Sequence, residues 1–537
     1  MSDSKEIAIC QLPNVTTDKP HATITSIMKK TSIYIALIAL LAGASSCDNG
    51  FDQLNTNPTA VTSLNPVFTF NNAIINTSFP SQILIFENAI VQQMFSPNSG
   101  IISGGNFNVD NRGSAGANAA LWQRYYRDNI RYLVDVLDKT RSDVTRSNLY
   151  HMARIWKAYS FMVLTDSYGD IPYSEAGLGF LSATITPKYD TQESIYNDII
   201  KELTEATAAL DATKAVEAGE IMYGGDLAKW KKFSYSVLLR VGMRLSKVNP
   251  TLAQSTVQKA VAGGLMQSNA DNGVIRNNSN YQNPVGVTLN STEAANYYLT
   301  GNFVNYLKST SDPRLPAIAV RYVGAKSGPE QTAARANREP SVQIGMPLGY
   351  DNGTIIARAT ADGLASFYDY SQLDRTRMGG LNAPTFLVTY AQTQLLLAEA
   401  AQRGWTTGNA TDFYNAGVTA HMKQLADYGT TTVIADADIA AYLQKNPYVA
   451  SRGLELINTQ YWVASFLNGP EAFANFRRSG FPALTPNPYP GKEIKGNFIN
   501  RLSYPDAEIS VNQTKVNEAI ARQGADNLDT RVWWDKQ

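Results

Sequence analysis

The feature of this 537-residue chain that most restricts its fold is a series of segments in which apolar residues recur every three to four positions. In 148–165, for example, Leu149, Met152, Trp156 and Tyr159 would share one face of a helix. Similar stripes occupy 121–139, 192–210, 226–246, 385–403, 409–426, 436–444 and 451–468. Helices bury such stripes by pairing, so the pattern predicts helix–turn–helix units like those of tetratricopeptide arrays, but without a strict repeat of about 34 residues.

Between the two helical regions, about 121–246 and 385–468, lies a stretch of different composition. The region 266–383 is dense in Gly, Asn, Pro and Ser, with aromatic residues among them, as in "NREPSVQIGMPLGYDNG". Long irregular segments on a rigid scaffold carry function more often than core. We therefore predict a mainly α fold: a tetratricopeptide-like helix-pair scaffold with a large loop-rich insertion that carries short strands.

The beginning of the chain contains an export signal. Lys29 and Lys30 precede the apolar run 33–41, which is about half the roughly 20 residues needed to span a bilayer. Positive residues, a short apolar run and then small residues are the order of a signal peptide. Because a signal peptide works only near the N-terminus, translation is expected to start at Met28, and 1–27 to be an over-extended start.

A cysteine ends this signal. The sequence "LAGASSC" resembles the lipobox of bacterial lipoproteins, although Ser46 stands where Gly or Ala is usual. We predict a lipoprotein signal peptide over 28–46, lipid attachment at Cys47 and a tether over 47–65. An ordinary signal peptide cut near Ala44 is the alternative. Several acyl chains would give durable membrane anchoring.

The composition and motifs argue against several functions. Lys and Arg together number 46, as do Asp and Glu, so no charge excess favours nucleic acid. The sequence has no HExxH, GxSxG, GxxxxGK[ST] or GxGxxG motif, and no "DNG" opens a full calcium loop. His151 and His421 lie far apart on predicted helices and are interpreted as surface or packed residues. We expect no cofactor, no metal and no catalytic residue, although paired carboxylates of a glycoside hydrolase have no sequence signature.

Several stretches from Cys47 almost to the end have a familiar order. They are "DSYGDIPYSEA" (166–176), "YDTQESIYNDIIKELTEATAAL" (189–210), "GGDLAKWKKFSYSVLLRVGMRLS" (224–246), "SDPRL" (311–315), "TYAQTQLLLAEAAQRGW" (389–405), "TQYWVASFLNGPEAFANFRRSGFP" (459–482), "RLSYPDAEISVN" (501–512) and "RVWWD" (531–535). Together they resemble the SusD/RagB-type nutrient-binding outer-membrane lipoproteins, and most closely the SusD-like branch. The resemblance assigns 66–537 to one SusD-like domain.

The resemblance implies binding rather than catalysis. Such proteins capture oligosaccharide, or peptide in some members, and deliver it to a SusC-like TonB-dependent transporter. The implied location is the outer membrane, lipid-anchored and exposed at the cell surface. A peptide-binding member, a glycoside hydrolase lipoprotein and a scaffold that binds no nutrient are the alternatives.

The ligand is expected in the loops 96–118 and 266–370, where aromatic residues occur beside Asn, Asp and Gly. A sugar ring stacks on an aromatic face while amide and carboxylate groups bond its hydroxyls. The predicted ligand residues are Phe107, Tyr281, Tyr297, Tyr350 and Tyr368, with Asn98, Asn106 and Asp110 as polar partners. Ordinary loop packing is the competing interpretation for each of them.

Overall fold

The apolar stripes form helices that pair around one large hydrophobic core. The computed structural model describes residues 64–78, 81–98, 103–113, 116–291 and 293–536. It is 54% helix and 5% strand, which confirms the mainly α fold class. The predicted signal peptide, Cys47 and nearly all of the tether lie outside the described residues.

The helices of the scaffold are mostly joined by short connections. They are α1 Pro66–Ile75, α2 Ser81–Ile90, α3 Ser103–Phe107, α4 Ala117–Tyr125, α5 Arg131–Thr140, α6 Ser147–Tyr168, α7 Gly179–Ser182, α8 Gln192–Ala208, α9 Leu227–Arg244, α10 Pro250–Gly263, α11 Pro284–Leu289, α12 Gly301–Ser309, α13 Leu315–Ile318, α14 Ile355–Ala361, α15 Tyr390–Gln402, α16 Ala410–Gln424, α17 Asp436–Lys445, α18 Gly453–Ala464, α19 Gly469–Ser479, α20 Asp506–Val511 and α21 Gln513–Gln523. Longer irregular segments separate α13 from α14 and α19 from α20. Helix α6 packs on α8, α9 on α10 and α15 on α16, as expected of helix–turn–helix units.

The strands are short and belong mostly to the loop-rich insertion. They are β1 Met94–Phe95, β2 Ile171–Pro172, β3 Tyr189–Asp190, β4 Gly273–Ile275, β5 Tyr298–Leu299, β6 Ala319–Tyr322, β7 Ala336–Asn337, β8 Gln372–Leu373 and β9 Thr385–Val388. All pairings between these strands are antiparallel: β1 with β5, β2 with β3, β4 with β9, and β6 with both β7 and β8. The predicted combination of irregular loops and short strands is confirmed.

Two predicted helices differ from the structure at one end. The segment 385–403 begins with strand β9, because Phe386 pairs with Val274 of β4. Helix α15 starts only after Thr389, whose hydroxyl accepts a hydrogen bond from the Gln392 backbone N–H. The segment 451–468 breaks after α18, because the Asn468 side chain caps the separate helix α19.

The carboxyl-terminal residues close the main core through buried charges. Arg244 of α9 donates to Asp166 of α6 at 3.1 Å and to Glu471 of α19 at 2.7 Å. The indole Nε1–H of Trp534 donates to the same Asp166 carboxylate at 2.8 Å. Arg477 lies with its guanidinium carbon 4.9 Å from the Trp534 ring. Buried charges of this kind are tolerated because each has a partner, and here they join the chain terminus to three helices.

Candidate functional site

The loop-rich insertion has a small hydrophobic core of its own. Its buried residues are Phe95, Phe107, Tyr298, Met346, Ile355, Ala359, Leu364 and Tyr370, from β1, α3, β5, α14 and the loops between them. This small core is distinct from the main core. The loops at this end of the molecule are therefore supported by packed side chains, and a surface built on them has a rigid base.

Two of the predicted ligand residues are part of this base. The ring of Phe107 is 3% exposed and lies 4.4 Å from that of Tyr489. The Asn106 side chain donates to the Ser96 carbonyl oxygen at 2.6 Å and accepts from the Ser96 N–H at 3.3 Å. Both side chains are buried, so they hold the loop in place and do not reach the surface.

Asp110 joins the same loop to the end of the chain. Its Oδ1 accepts hydrogen bonds from Ser503 Oγ at 2.5 Å and Asn118 Nδ2 at 3.0 Å. Its Oδ2 forms an ion pair with Arg112, which also contacts Asp526. These contacts occupy both carboxylate oxygens within the protein.

Asn98 belongs to a row of polar side chains on the surface. Its Nδ2 donates to Asn296 Oδ1 at 2.6 Å, and Asn296 Nδ2 donates to Glu293 Oε2 at 2.6 Å. All three residues are half-buried. We call Asn98, Asn296 and Glu293 the polar row. It presents amide and carboxylate groups that are already oriented by one another.

Tyr368 lies on the same side of the molecule as the polar row. A Cβ placed on Gly328 would lie 3.8 Å from Tyr368 Cε1 and 2.9 Å from the Cβ of Ala295, which precedes Asn296. The Tyr368 ring stacks on Phe367, with ring centres 4.2 Å apart and planes inclined by 28°. Both rings are half-buried. We call Phe367, Tyr368 and the polar row the loop face.

The other predicted tyrosines lie elsewhere. Tyr297 is buried against the main core, and burial raises the pKa of its hydroxyl. Tyr350 packs at the edge of the small core, beneath the Arg358 guanidinium at 5.8 Å. Tyr281 is half-buried against the main core. The structure therefore brings together Asn98 and Tyr368 of the eight predicted residues.

Sequence reasoning missed three members of the loop face: Glu293, Asn296 and Phe367. Two of them directly adjoin predicted residues, since Asn296 precedes Tyr297 and Phe367 precedes Tyr368. The "FYD" triplet that contains Phe367 was an available signal, because adjacent aromatic residues in a loop seldom all find core positions. Nothing in the sequence indicated that Asn98 would meet Asn296 across almost two hundred residues.

The loop face consists of half-buried side chains on surface loops, and its residues line none of the three described cavities. Two of these cavities, of about 440 and 300 Å³, lie elsewhere. The first is lined by charged residues of the carboxyl-terminal segment and the start of α8, and the second by Leu307, Lys308 and three prolines. None of the eight predicted residues lines either cavity. An open surface with aromatic rings and a row of amides is suited to an extended, hydroxyl-rich ligand.

The described part of the chain shows no cluster of three or more His, Cys, Asp or Glu residues placed to hold a metal ion. His151 is half-buried beside Arg154, and His421 is buried beside Arg314. Burial, and then the Arg314 charge, lower the pKa of His421 well below its ordinary value. Both histidines are packed or surface residues, as predicted. No helix within the described ranges combines the length and apolarity needed to cross a bilayer.

The fold is a helical scaffold that carries an irregular face of aromatic, amide and carboxylate side chains. Residues 58–505 match the family model for SusD-like proteins, described as starch-binding and associating with the outer membrane. Because the match covers most of the chain, the protein belongs to the SusD-like family. The members of this family are binding proteins. The resemblance predicted from the sequence is thus confirmed.

Solved structures give the same result. A chitin-binding protein is 30% identical, with a TM-score of 0.77 over 88% of this chain and 100% of its own. A SusD-like protein from Bacteroidetes AC2a is 27% identical, with a TM-score of 0.76 over 88% and 100% of the two chains. A chitin-binding SusD homologue from Flavobacterium johnsoniae is 25% identical, with a TM-score of 0.69 over 88% and 99%. No curated protein matches the sequence significantly.

Proposed function

We propose that this protein is a cell-surface lipoprotein that captures oligosaccharide and delivers it to a SusC-like TonB-dependent transporter, without chemical turnover. The observation that carries the proposal is the loop face, where stacked half-buried aromatic rings adjoin an oriented row of amides on a SusD-like scaffold. Two similar solved structures are chitin-binding proteins, which supports a glycan ligand. Neutral net charge is compatible with an uncharged glycan.

A glycan and peptide array on the purified protein tests the ligand class. We expect binding to oligosaccharides of the chitin type or of the starch type, and no binding to peptides. Peptide binding alone would establish the peptide-binding alternative. No binding to either class would favour a scaffold that only holds the transporter.

The membrane anchor has its own test. We expect mass spectrometry of the native protein to find an acylated cysteine at Cys47 as the first residue. A periplasmic product cut near Ala44 would contradict the anchor but leave glycan binding unaffected.

An exposed apolar patch on the scaffold supports the transporter partner. Phe180 of α7 is 88% exposed, Ile185 79% and Val511 69%. The Asn512 side chain donates to the Pro187 carbonyl oxygen at 2.8 Å, which brings the two segments together. Because exposed apolar patches mark interaction sites, we propose that this surface contacts the transporter.

Pull-down from outer membrane solubilised in mild detergent tests that contact. We expect the wild-type protein to bring a barrel protein with it, and the double variant Phe180→Asp, Ile185→Asp to lose it. The matched control is Val433→Asp, because Val433 is similarly exposed at 59% in a different part of the scaffold. Equal recovery by both variants would place the contact elsewhere.

The rival enzyme hypothesis requires two facing carboxylates. Among the described hydrogen bonds of the loop face, Glu293 is the one carboxylate, and its partner is an amide. Retaining hydrolysis needs a second carboxyl group at about 5–5.5 Å. We expect no hydrolysis when the purified protein is incubated with oligosaccharides. Turnover that disappears in Glu293→Gln would establish a hydrolase.

A further inference from the structure

A second group of exposed apolar side chains surrounds the start of α1. Phe68 is 55% exposed, Val144 74%, Val216 67% and Ile221 37%. Large apolar residues with this exposure are individually ordinary, but a group of them on one surface indicates an interaction site. We call these four residues the α1 patch.

Hydrogen bonds bring together the segments that carry the four residues. Arg146, two residues after Val144, donates to Asn65 Oδ1 at 3.0 Å and forms a two-pronged ion pair with Glu217 at 2.7 and 2.8 Å. Glu217 directly follows Val216. Arg146 therefore holds the segments of Val144 and Val216 together at the start of α1, because it bonds both Glu217 and Asn65.

The other side of the patch is fixed in the same way. The Asn71 side chain donates to the Gly219 carbonyl oxygen at 2.7 Å and accepts from the Ile221 N–H at 3.1 Å. A Cβ on Gly219 would lie 3.6 Å from the Val67 side chain. The loop that carries Val216 and Ile221 thus packs against Val67 and Asn71 of α1, and Phe68 directly follows Val67 in that helix.

The charges at this surface do not favour an anionic ligand. Arg146 is neutralised by Glu217, and the exposed Lys214 and Asp143 have opposite signs. Attraction to a strongly charged partner is therefore weak here, and contact must come from burial of the apolar side chains.

The position of the patch in the chain suggests its occupant. Cys47 and Asn65 are 18 residues apart, so a lipid on Cys47 would be connected to α1 by a chain that reaches at most about 60–65 Å even when fully extended. Phe68 lies three residues beyond Asn65. Of the described helices, α1 is therefore the one nearest in sequence to the proposed anchor, and the α1 patch surrounds its start.

We propose that the α1 patch contacts the lipid bilayer, with Phe68, Val216 and Ile221 entering its interfacial region. This inference rests on the proposed lipid anchor at Cys47. Apolar side chains on a neutral surface bind at the boundary between headgroups and acyl chains. The contact would fix the orientation of the domain relative to the membrane. The segment with Val511 lies near the start of α8, whereas Val216 lies beyond the end of that helix. The two ends of this 17-residue helix are about 25 Å apart, so Val216 can touch the bilayer while Val511 stays away from it.

The test uses the acylated full chain in phosphatidylcholine vesicles without transporter. Cys47 is the one cysteine of the mature sequence, and its sulfur is blocked by lipid, so Val216→Cys adds a single free thiol for an environment-sensitive NBD label. Val511→Cys is the matched control, because the two valines have nearly equal exposure, 67% and 69%. Flotation with the vesicles reports the anchor, and NBD emission reports the patch.

We expect flotation of both labelled proteins, with a blue shift and stronger emission only at position 216. Adding Phe68→Ser should reduce that shift, whereas Val433→Ser should leave it unchanged. Flotation without a shift at 216, or an equal shift at 511, would overturn the proposal and leave the anchor intact. Failure to float overturns both. A shift that disappears when the protein is diluted in the membrane would indicate contact between copies and would overturn the lipid contact. A shift that appears only after transporter is added to the vesicles would indicate contact with the transporter and would also overturn it.

Discussion

At the scale of single residues, Tyr368 is the strongest test of the loop face. Its half-buried ring stacks on Phe367 and also packs against the small cluster of Val320, Tyr322 and Ala325, so a sugar ring would contact the part of the Tyr368 ring that remains exposed. An aromatic contact contributes about 0.5–1.5 kcal/mol, so Tyr368→Ala should weaken glycan binding about two- to tenfold by calorimetry. Tyr368→Phe keeps the ring and should bind nearly as well as the wild type. Equal affinity of all three proteins would show that the ligand lies elsewhere.

The polar row gives an independent residue-scale prediction. Asn296→Ala removes both hydrogen bonds that connect Asn98 with Glu293. Because these groups are half-buried, the loss should cost at most about 1 kcal/mol of unfolding free energy but should also weaken glycan binding. Asn290→Ala is the control, since the Asn290 side chain bonds only nearby carbonyl oxygens. A similar loss of binding in both variants would indicate general loosening of the loops.

Two buried glutamates should respond to pH in opposite ways. Burial raises the pKa of Glu87 to about 8, because Arg477 and Ser167 compensate only in part. Burial alone would raise the pKa of Glu399 too, but its ion pair with Arg478, at 2.7 Å on both oxygens, lowers it to about 2. At pH values between its ordinary pKa and about 8, Glu87 is therefore protonated in the folded state and ionised in the unfolded chain.

Between the ordinary pKa and pH 8, Glu87 should reduce the free energy of unfolding by up to about 4–5 kcal/mol as the pH rises. Glu87→Gln should remove this decline, which chemical denaturation at several pH values would measure. Glu399 contributes stability above its ordinary pKa that is lost as the pH falls toward 2. Glu399→Gln should therefore cost about 3–5 kcal/mol at neutral pH by leaving Arg478 buried without a counter-charge. Parallel behaviour of the two variants would contradict these assignments.

At the scale of elements, the sequence predicted helices well where local signals and packing agreed. Helix α6 ends before Gly169, whose φ of 84° suits glycine, and Pro172 follows soon after. Strand β9 was missed because its four residues continue the apolar pattern of α15, and only pairing with β4 makes them extended. Helix α10 was not predicted because its buried face consists largely of small residues such as Ala253 and Ala260, and this face packs against α9.

The carboxyl-terminal element provides an element-scale prediction with two adjacent tryptophans. Trp534 is fully buried and bonds Asp166, whereas Trp533 is half-buried, with its ring 6.2 Å from Tyr196. Trp534→Ala should lower the free energy of unfolding by about 3–5 kcal/mol, because it leaves a cavity and removes a donor from a buried carboxylate. Trp533→Ala should cost about 1 kcal/mol. Thermal denaturation compares the two, and equal losses would contradict the described role of this segment.

At the scale of the whole molecule, the location of the site depended on contacts that no local pattern reveals. The prediction of ligand residues from aromatic and Asn-rich loops included Asn98 and Tyr368, two members of the candidate loop face. It also selected Asn106, Phe107 and Tyr297, which are buried. Whether a loop aromatic faces solvent or a core depends on residues far away in sequence, such as Tyr489 beside Phe107. The scaffold could be predicted because the apolar stripes of helices are local in sequence. The residues of the loop face could not be predicted because this face is assembled from loops that are distant in sequence.

The shape of the loop face leads to a last prediction about ligand length. An open surface contacts one or two sugar rings through Tyr368 and the polar row, so a disaccharide should bind with a dissociation constant of roughly 1 mM or weaker. Longer chains can also contact the neighbouring surface. The loss of translational and rotational freedom on association occurs only once for the whole chain, so a hexasaccharide should bind at least about tenfold more tightly than a disaccharide. Calorimetry with a series of chitin and starch oligomers measures this dependence. In Tyr368→Ala the dependence should become flatter, because the anchoring ring is absent. Tight binding of a monosaccharide, with no gain from length, would instead require an enclosed pocket and would contradict binding at the loop face.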